Sequence, residues 1–449
     1  VSVEVGIQAV AERLIERALD AGATEAEAFA QNGERAHIQV IRGRVENLTR
    51  AGFKGVGLRV LVEGRLAFLS SSDFSEQTLD GLVAEAVSLA AEATAEPYNA
   101  LPEMDAAPEI PGLYDPDLAA VSLDRKLEVA KRLDALVFDQ GPEIHNTEGS
   151  VYSDGVYENL ILNSKGLVHR WRESFVSMVV SPVAEGKGQK QVAHDWTSAR
   201  AFRDLKPPED VAREACRRAK LLLGGEAVET QKVPVVLDAR AGAALLGGLG
   251  QAINGESVYR GRSFLVDQLG KKIGSDRVTV IDDGTIESGM GSSPVDGEGV
   301  PTRRKLIVEK GVLRCFLYDT YSARKAKTRP TGNSARDSYA SRPVIGTLNF
   351  YLEAGERTPG EVLSEVDNGF FVLRTLGGAT NPVTGDFSAG AAGVWIKNGQ
   401  LTQPVAKVTI AAKMLDMLQG IDAVANDLTL DSPTATPTYR VREMTVSGT

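Results

Sequence analysis

The chain has four histidines, His37, His145, His169 and His194, and no two of them stand four residues apart. Imidazoles at that spacing share a helix face and can hold a metal ion together, so no such helix is present. His194-Asp195, in QVAHDW, sets an imidazole beside a carboxylate. Adjacent side chains rarely converge on one ion without a loop around them, and His194 is read as a surface or hydrogen-bonded residue. The serines come without the GxSxG elbow that exposes a nucleophile at a strand-to-helix turn. Cys315, in CFLY, stands in an apolar strand context, where a buried, inert thiol is expected. Asp282 with Asp283 and Asp296 with Glu298 form two acidic pairs. Turn-forming surface carboxylates are the expected reading, with acid–base work or Ca²⁺ binding as the alternative.

The stretch Asp238–Gly261, DARAGAALLGGLGQAINGESVYRG, invites a phosphate-loop reading and fails it. A Walker loop needs GxxxxGK[ST], and the lysine is missing. Gly248 and Gly250 match the first pair of a dinucleotide fingerprint, but its third position is Ile253. The glycines are therefore expected to permit close packing or to mark a break, with Leu245, Leu246, Leu249 and Ile253 on a buried face. A second segment, YDTYSARKAKTRPTGNSAR (Tyr318–Arg336), interleaves basic and aromatic residues in an expected loop. Tyr321, Arg324, Lys325, Arg329 and Arg336 form either a solvated basic face or a surface for a peptide carboxylate, an acidic substrate or a partner subunit.

The elements that would position these residues are legible in part. A first helix spans about Gly6–Ala21, with Ile7, Val10, Leu14 and Ala18 on one face and Gly22 as its stop. Strand-rich segments follow at Glu25–Gln31, Ala36–Arg42 and Gly55–Ser70, the last folded at Glu63-Gly64. Asp73 with Glu76 reads as a capping box for a helix reaching about Ala93. Pro97–Asp117 reads as a surface connection. Ser122 caps a third helix, strands occupy about Gly149–Val183 around an Asn163–Gly166 turn, and Pro208–Leu223 is helical. Beyond Gly224-Gly225 the chain is glycine-rich, with strands at Val233–Leu237, Lys305–Glu309, Val312–Tyr318, Thr347–Glu353, Gly369–Thr375 and Ala392–Lys397. Lys407–Ile421 has partial helical period. The fold class is α+β with two domains: residues 1–228, mixed α/β with an antiparallel sheet, and residues 229–449, strand-rich around a short glycine-containing helix.

At 449 residues the chain can bury a large core. Its net charge of -10 disfavours nucleic acid, whose phosphates need clustered Lys and Arg. No apolar run approaches the roughly 18 residues of a membrane span, and the amino end lacks the order of a signal peptide. The two distant cysteines, Cys216 and Cys315, allow one disulfide, but two buried thiols of a cytoplasmic protein are the simpler expectation.

Several long blocks in fixed order resemble the TldD/PmbA family, also called modulators of DNA gyrase or TldD/TldE peptidases. They include RGRSFLVDQLGKKI (Arg260–Ile273), VDGEGVPTRRKLIVEKGVLRCFLYDTYSARK (Val295–Lys325), TGNSAR (Thr331–Arg336) and NPVTGDFSAGAAGVWIKNGQL (Asn381–Leu401). The resemblance implies two kinds of subunit. In the TldD-like kind, a helix with HExxxH and a later cysteine hold a catalytic Zn²⁺, and the glutamate is the general base. This sequence has Gly247 and Gly248 where the first His and Glu would fall. It has Gln251 or Ala252 at the second His, and no cysteine in LDSPTATPTYRV near its end. It therefore resembles the PmbA (TldE-like) subunit. That implies no metal or cofactor in this chain, zinc in a TldD-like partner, and a complex that degrades or matures unfolded or small peptides. A homodimer when alone, a homo-oligomeric peptide-binding scaffold, and a metallopeptidase with unrecognised ligands are the alternatives.

Overall fold

The structure is a computed structural model and describes residues 6–186 and 188–448. In the N-terminal half, α1 (Ile7–Asp20) leads into the long hairpin β1 (Glu25–Ile41) and β2 (Arg44–Val62), followed by β3 (Arg65–Ser71) and α2 (Glu76–Glu92). After α3 (Leu123–Leu136) come β4 (Ile144–Asn163), β5 (Val168–Gly186), β6 (Gln189–Val192), β7 (Asp195–Ala199) and α4 (Pro208–Leu221). These strands form one antiparallel sheet in the order β3-β2-β1-β4-β5-β6, with β7 also on β5.

The alternation of side chains along β1 and β2 decides what each face does. Ala26, Ala28 and Ala30 with Val56, Leu58 and Val60 pack beneath α1 and α2. Farther along the sheet, Ile38, Val40, Tyr152 and Met178 pack beneath α3 and α4. The residues between them, Glu27, Phe29 and Arg59, face the other way and are buried as well. The turn at Glu63-Gly64 has both residues at positive φ, 52° and 78°, the conformation that a two-residue hairpin needs.

The C-terminal half begins with β8 (Gln231–Leu237), α5 (Ala239–Ala252) and α6 (Gly255–Tyr259), then β9 (Val280–Asp283), β10 (Arg304–Glu309), β11 (Val312–Leu313) and α7 (Thr320–Lys325). Short strands β12 (Ser334–Ala335), β13 (Val344–Ile345) and β14 (Asn349–Leu352) precede α8 (Pro359–Ser364). The chain ends with β15 (Asn368–Thr380), β16 (Asp386–Lys397), β17 (Gln400–Lys413), α9 (Met414–Gly420), β18 (Ile421–Val424), β19 (Thr434–Ala435) and β20 (Tyr439–Ser447). One sheet runs β17-β16-β15-β8-β20-β18, and β17 also pairs with β20, so five of these strands close into a ring. A second sheet, β11-β10-β9-β14-β19, lies on the other side of a core that includes α5. The architecture is α+β with mostly antiparallel sheets, as the sequence indicates.

Four local expectations change. Asp73 does not cap α2: the helix starts two residues later, with Ser75 in the N-cap position, and Asp73 instead accepts hydrogen bonds from Ser75 and Thr78. The partial helical period at Lys407–Ile421 resolves into the end of β17 followed by α9, because β17 needs its length to pair with β16 and β20. The Tyr318–Arg336 block is not all loop, since Asp319 caps α7 with a reciprocal Ser322 bond. Cys315 is half-buried just beyond β11 and outside it. Cys216 is buried on α4, burial lifts its thiol to about 12, and both cysteines are free. Among the described residues no helix is long and apolar enough to cross a membrane.

Candidate functional site

α5 is the element that the sequence singles out, and its two faces differ. It leaves β8 at Asp238, whose carboxylate accepts the Arg240 N–H at 3.0 Å and caps the helix. Leu245, Leu246 and Leu249 pack down onto Val280, Leu352, Met417 and Tyr439. On the opposite face Ala244 and Gln251 are exposed, and a Cβ at Gly247 would meet nothing within 4 Å. At about 100° per residue, positions 244, 247 and 251 form one stripe. Gly248 points inward, where a Cβ would overlap Thr380 Oγ1 and stand 2.7 Å from Thr380 Cβ. The glycines thus do not break α5: Gly248 lets β15 approach, and Gly247 leaves the outer face bare.

A zinc ion needs three protein donors at about 2.0–2.3 Å. Positions 247 and 248 carry no side chain, Ala252 faces the core, and Gln251 offers a carboxamide. The histidines lie elsewhere. His37 is on β1, 3.0 Å from Ser153 Oγ of β4, and His169 is on β5. His145 is exposed on β4, and His194 is exposed between β6 and β7. Among the described residues no group of three or more His, Cys, Asp or Glu is placed to hold a metal. The residues present on α5 do not fit a zinc site.

The acidic pairs are the largest departure from expectation. Asp282, Asp283, Asp296 and Glu298 are not surface turn residues; all four are buried. Asp282 meets Lys305 Nζ at 3.1 Å, Asn333 Nδ2 at 2.8 Å and the Leu348 N–H at 2.7 Å. Glu298 accepts from Arg59 Nη1 at 2.7 Å, and Arg59 Nη2 reaches Glu27 at 2.5 Å. Glu27 and Arg59 stand directly opposite in the β1–β2 register. Arg336 closes this network on Glu27 and lies over the Phe29 ring at 5.2 Å. It is therefore not the surface residue expected from its basic segment: its side chain is 2% exposed. The network fastens the free face of the N-terminal sheet to the loop after β9. Nearby, Arg200 donates to the carbonyls of Gly289 and Ser292, a second fastening across the same seam. Burial of Glu27 and Arg59 could have been suspected from their places between apolar residues on strands, but Glu298 and Arg336, which complete the network, lie more than 200 residues away.

Burial opposes the charge on Glu298, but Arg59 and the Thr320 N–H hold it below the usual range. Asp296 goes the other way. Burial and the adjacent Glu298 charge lift it from 3.8 to about 7, against the three backbone N–H groups that it accepts. A raised folded-state value means that the protonated form stabilises the fold. That contribution is complete below about pH 4 and is lost as pH rises through about 7. The melting temperature should fall between about pH 4 and 7, and the fall should be shallower in Asp296→Asn, whose lower absolute stability does not affect the comparison of slopes.

The remaining basic residues do reach the surface. Arg324 and Arg329 are exposed, and Tyr321 and Lys325 are half-buried. Lys325 Nζ lies 4.3 Å, 5.4 Å and 5.6 Å from the ring centres of Tyr321, Tyr259 and Tyr98. The α5–α6 corner is pinned to this segment by the Gly255 N–H donating to the Leu317 carbonyl at 2.8 Å. The bare stripe of α5 therefore runs towards the element that carries Tyr259.

A long-stranded α+β protein, built around one glycine-bearing helix whose open face carries no imidazole, thiolate or carboxylate at 244, 247 or 251, is the class that fold and site define. Three family models described as PmbA/TldA metallopeptidase match it: domain 1 over residues 26–90, the central domain over 116–223 and the C-terminal domain over 230–448. Metalloprotease PmbA of Escherichia coli O157:H7 is 31% identical over 410 residues, covering 90% of this chain and 88% of that one. The chain belongs to the PmbA/TldD metallopeptidase family. A Bacteroides thetaiotaomicron crystal structure, described as a modulator of DNA gyrase, superposes with a TM-score of 0.90 at 26% identity, covering 98% of this chain and 99% of that one. TldE from Thermococcus kodakarensis shares the fold, with a TM-score of 0.89 at 21% identity over 98% of this chain and all of that one (100%).

Proposed function

We propose that this chain is a metal-less, PmbA/TldE-like subunit that pairs with a TldD-like zinc metallopeptidase in a peptide-degrading or peptide-maturing complex. The observation that carries this reading is the outer face of α5. Where the family resemblance calls for HExxxH, this face presents Gly247 and Gln251, and Gly248 and Ala252 beside them turn to the core, so no imidazole, thiolate or carboxylate stands at these positions. Water activation would then belong to the partner, and this chain would supply a wall of the cleft. An extended, unfolded peptide is the substrate class, because it can be held through its main chain. The surface around Tyr321, Arg324, Lys325 and Arg329 is the proposed contact with peptide or partner.

The test uses the chain alone and mixed with a TldD-like chain, on an unfolded polypeptide, with metal quantified. The expected result is an inert, metal-free chain and cleavage by the mixture that exceeds that of the TldD-like chain alone. Stoichiometric metal and cleavage by this chain alone would overturn the reading.

A further inference from the structure

Among the described residues Arg374 has no counter-ion, in a place where two other arginines already have theirs. It extends from β15 into a cavity of about 100 Å³ lined by His194, Trp196, Arg218, Arg240 and Thr375 as well. Arg218 is paired with Asp238, its Nη1 3.1 Å from Oδ2, and with Glu214 at 3.3 Å. Arg240 is held by Asp431 at 2.7 Å and 2.9 Å and by Asp195 at 3.4 Å, and its guanidinium lies 3.6 Å from the centre of the Trp196 ring. Arg374 donates to the Val192 carbonyl, and its Nε is buried without a partner. Among the described residues no carboxylate reaches it at ion-pair distance; the acid whose charge it senses is Glu148. His194, stacked on Trp196 with ring centres 5.7 Å apart, is exposed at the mouth.

We infer that this cavity binds a small oxyanion, with Arg374 as the counter-ion. A guanidinium presents a fork of N–H donors that matches a carboxylate or a phosphate. Half-buried, it is poorly screened, and leaving it uncompensated is costly. Arg218 and Arg240 keep their own carboxylates, so one added negative charge completes the site. The volume admits a carboxylate or a phosphate but not a folded partner, so a larger ligand enters by its end. The C-terminal carboxylate of a peptide meets that condition. Arg240 begins the same stripe that continues through Ala244, Gly247 and Gln251, so such a peptide would start at the head of the open face of α5. The inference is independent of the subunit reading, because it concerns the isolated chain.

Burial and the charges of Arg218, Arg374 and Arg240 all push the His194 imidazole down, and a bound anion should relieve this. The full chain is titrated with a short N-acetylated peptide bearing a free C terminus, with its C-terminal amide, and with inorganic phosphate. The readout is the His194 ring resonances, assigned by their loss in His194→Gln. Saturable binding that raises the His194 titration midpoint is expected, and Arg374→Met should weaken it at least about tenfold, as loss of a charge-assisted bond does. Arg374→Lys should recover part of the affinity, and melting curves confirm that both variants fold. Preference for the free acid over the amide identifies a peptide terminus as the source. Phosphate binding with no preference between acid and amide identifies free phosphate. If neither anion moves His194, or folded Arg374→Met binds as the parent does, the site does not exist.

Discussion

Arg59→Met is expected to cost about 3–5 kcal/mol, the penalty for removing one partner of a buried ion pair. The side chain is 6% exposed and bridges Glu27, 1% exposed, and Glu298, 4% exposed. Glu27 keeps Arg336 after the substitution, so the uncompensated charge falls on Glu298. Folded proteins are stable by only about 5–15 kcal/mol, so the loss should appear as a large drop in the urea midpoint. The double variant Arg59→Met/Glu298→Gln should recover part of it, because the carboxylate that was left bare is gone. A double-mutant cycle gives the coupling directly. If Arg59→Met unfolds at the parental midpoint, the network is not what fastens the seam between the sheet of the first half and the loop after β9.

Gly248→Ala and Gly247→Ala are expected to act in opposite directions although they are neighbours on one helix. The first forces a methyl against Thr380 and to within 3.2 Å of Met414 Cε. Overpacking of that kind typically costs about 1–3 kcal/mol. The second adds a methyl in open space and gains up to about 1 kcal/mol of helix propensity. Urea midpoints of the two variants check both signs. The contrast also bears on restoring HExxxH by mutation. A glutamate at 248 has no room unless β15 moves, so a rebuilt site needs more than ligand side chains. Equal effects of the two alanines would mean that α5 is not seated against Thr380.

Much of the fold was readable because it rests on local rules. Ile7, Val10 and Leu14 recur at helical spacing and do line the buried face of α1. Ser122 does accept the Arg125 N–H that its position promised. The β1–β2 hairpin beyond residue 41 was missed for an equally local reason. Residues 42–50 are exposed on both faces, so the strand carries no apolar alternation to mark it. The acidic pairs misled because a carboxylate near a glycine turn looks the same in sequence whether water neutralises it or a buried cation does, as Lys305 does for Asp282 and Arg59 for Glu298.

The sequence by itself determined the periodic elements, the tight turns, the family and the lack of ligand side chains at positions 247, 248, 251 and 252. These follow from residue type and short-range spacing. Only the tertiary structure decided which charges are buried, which glycine faces a neighbour and which faces open space, and that Arg374 lies in a cavity between two satisfied arginines. Those properties depend on contacts between residues up to 309 positions apart, as for Glu27 and Arg336. Burial and counter-ion pairing arise from the packing of whole sheets against one another, and no local pattern encodes them.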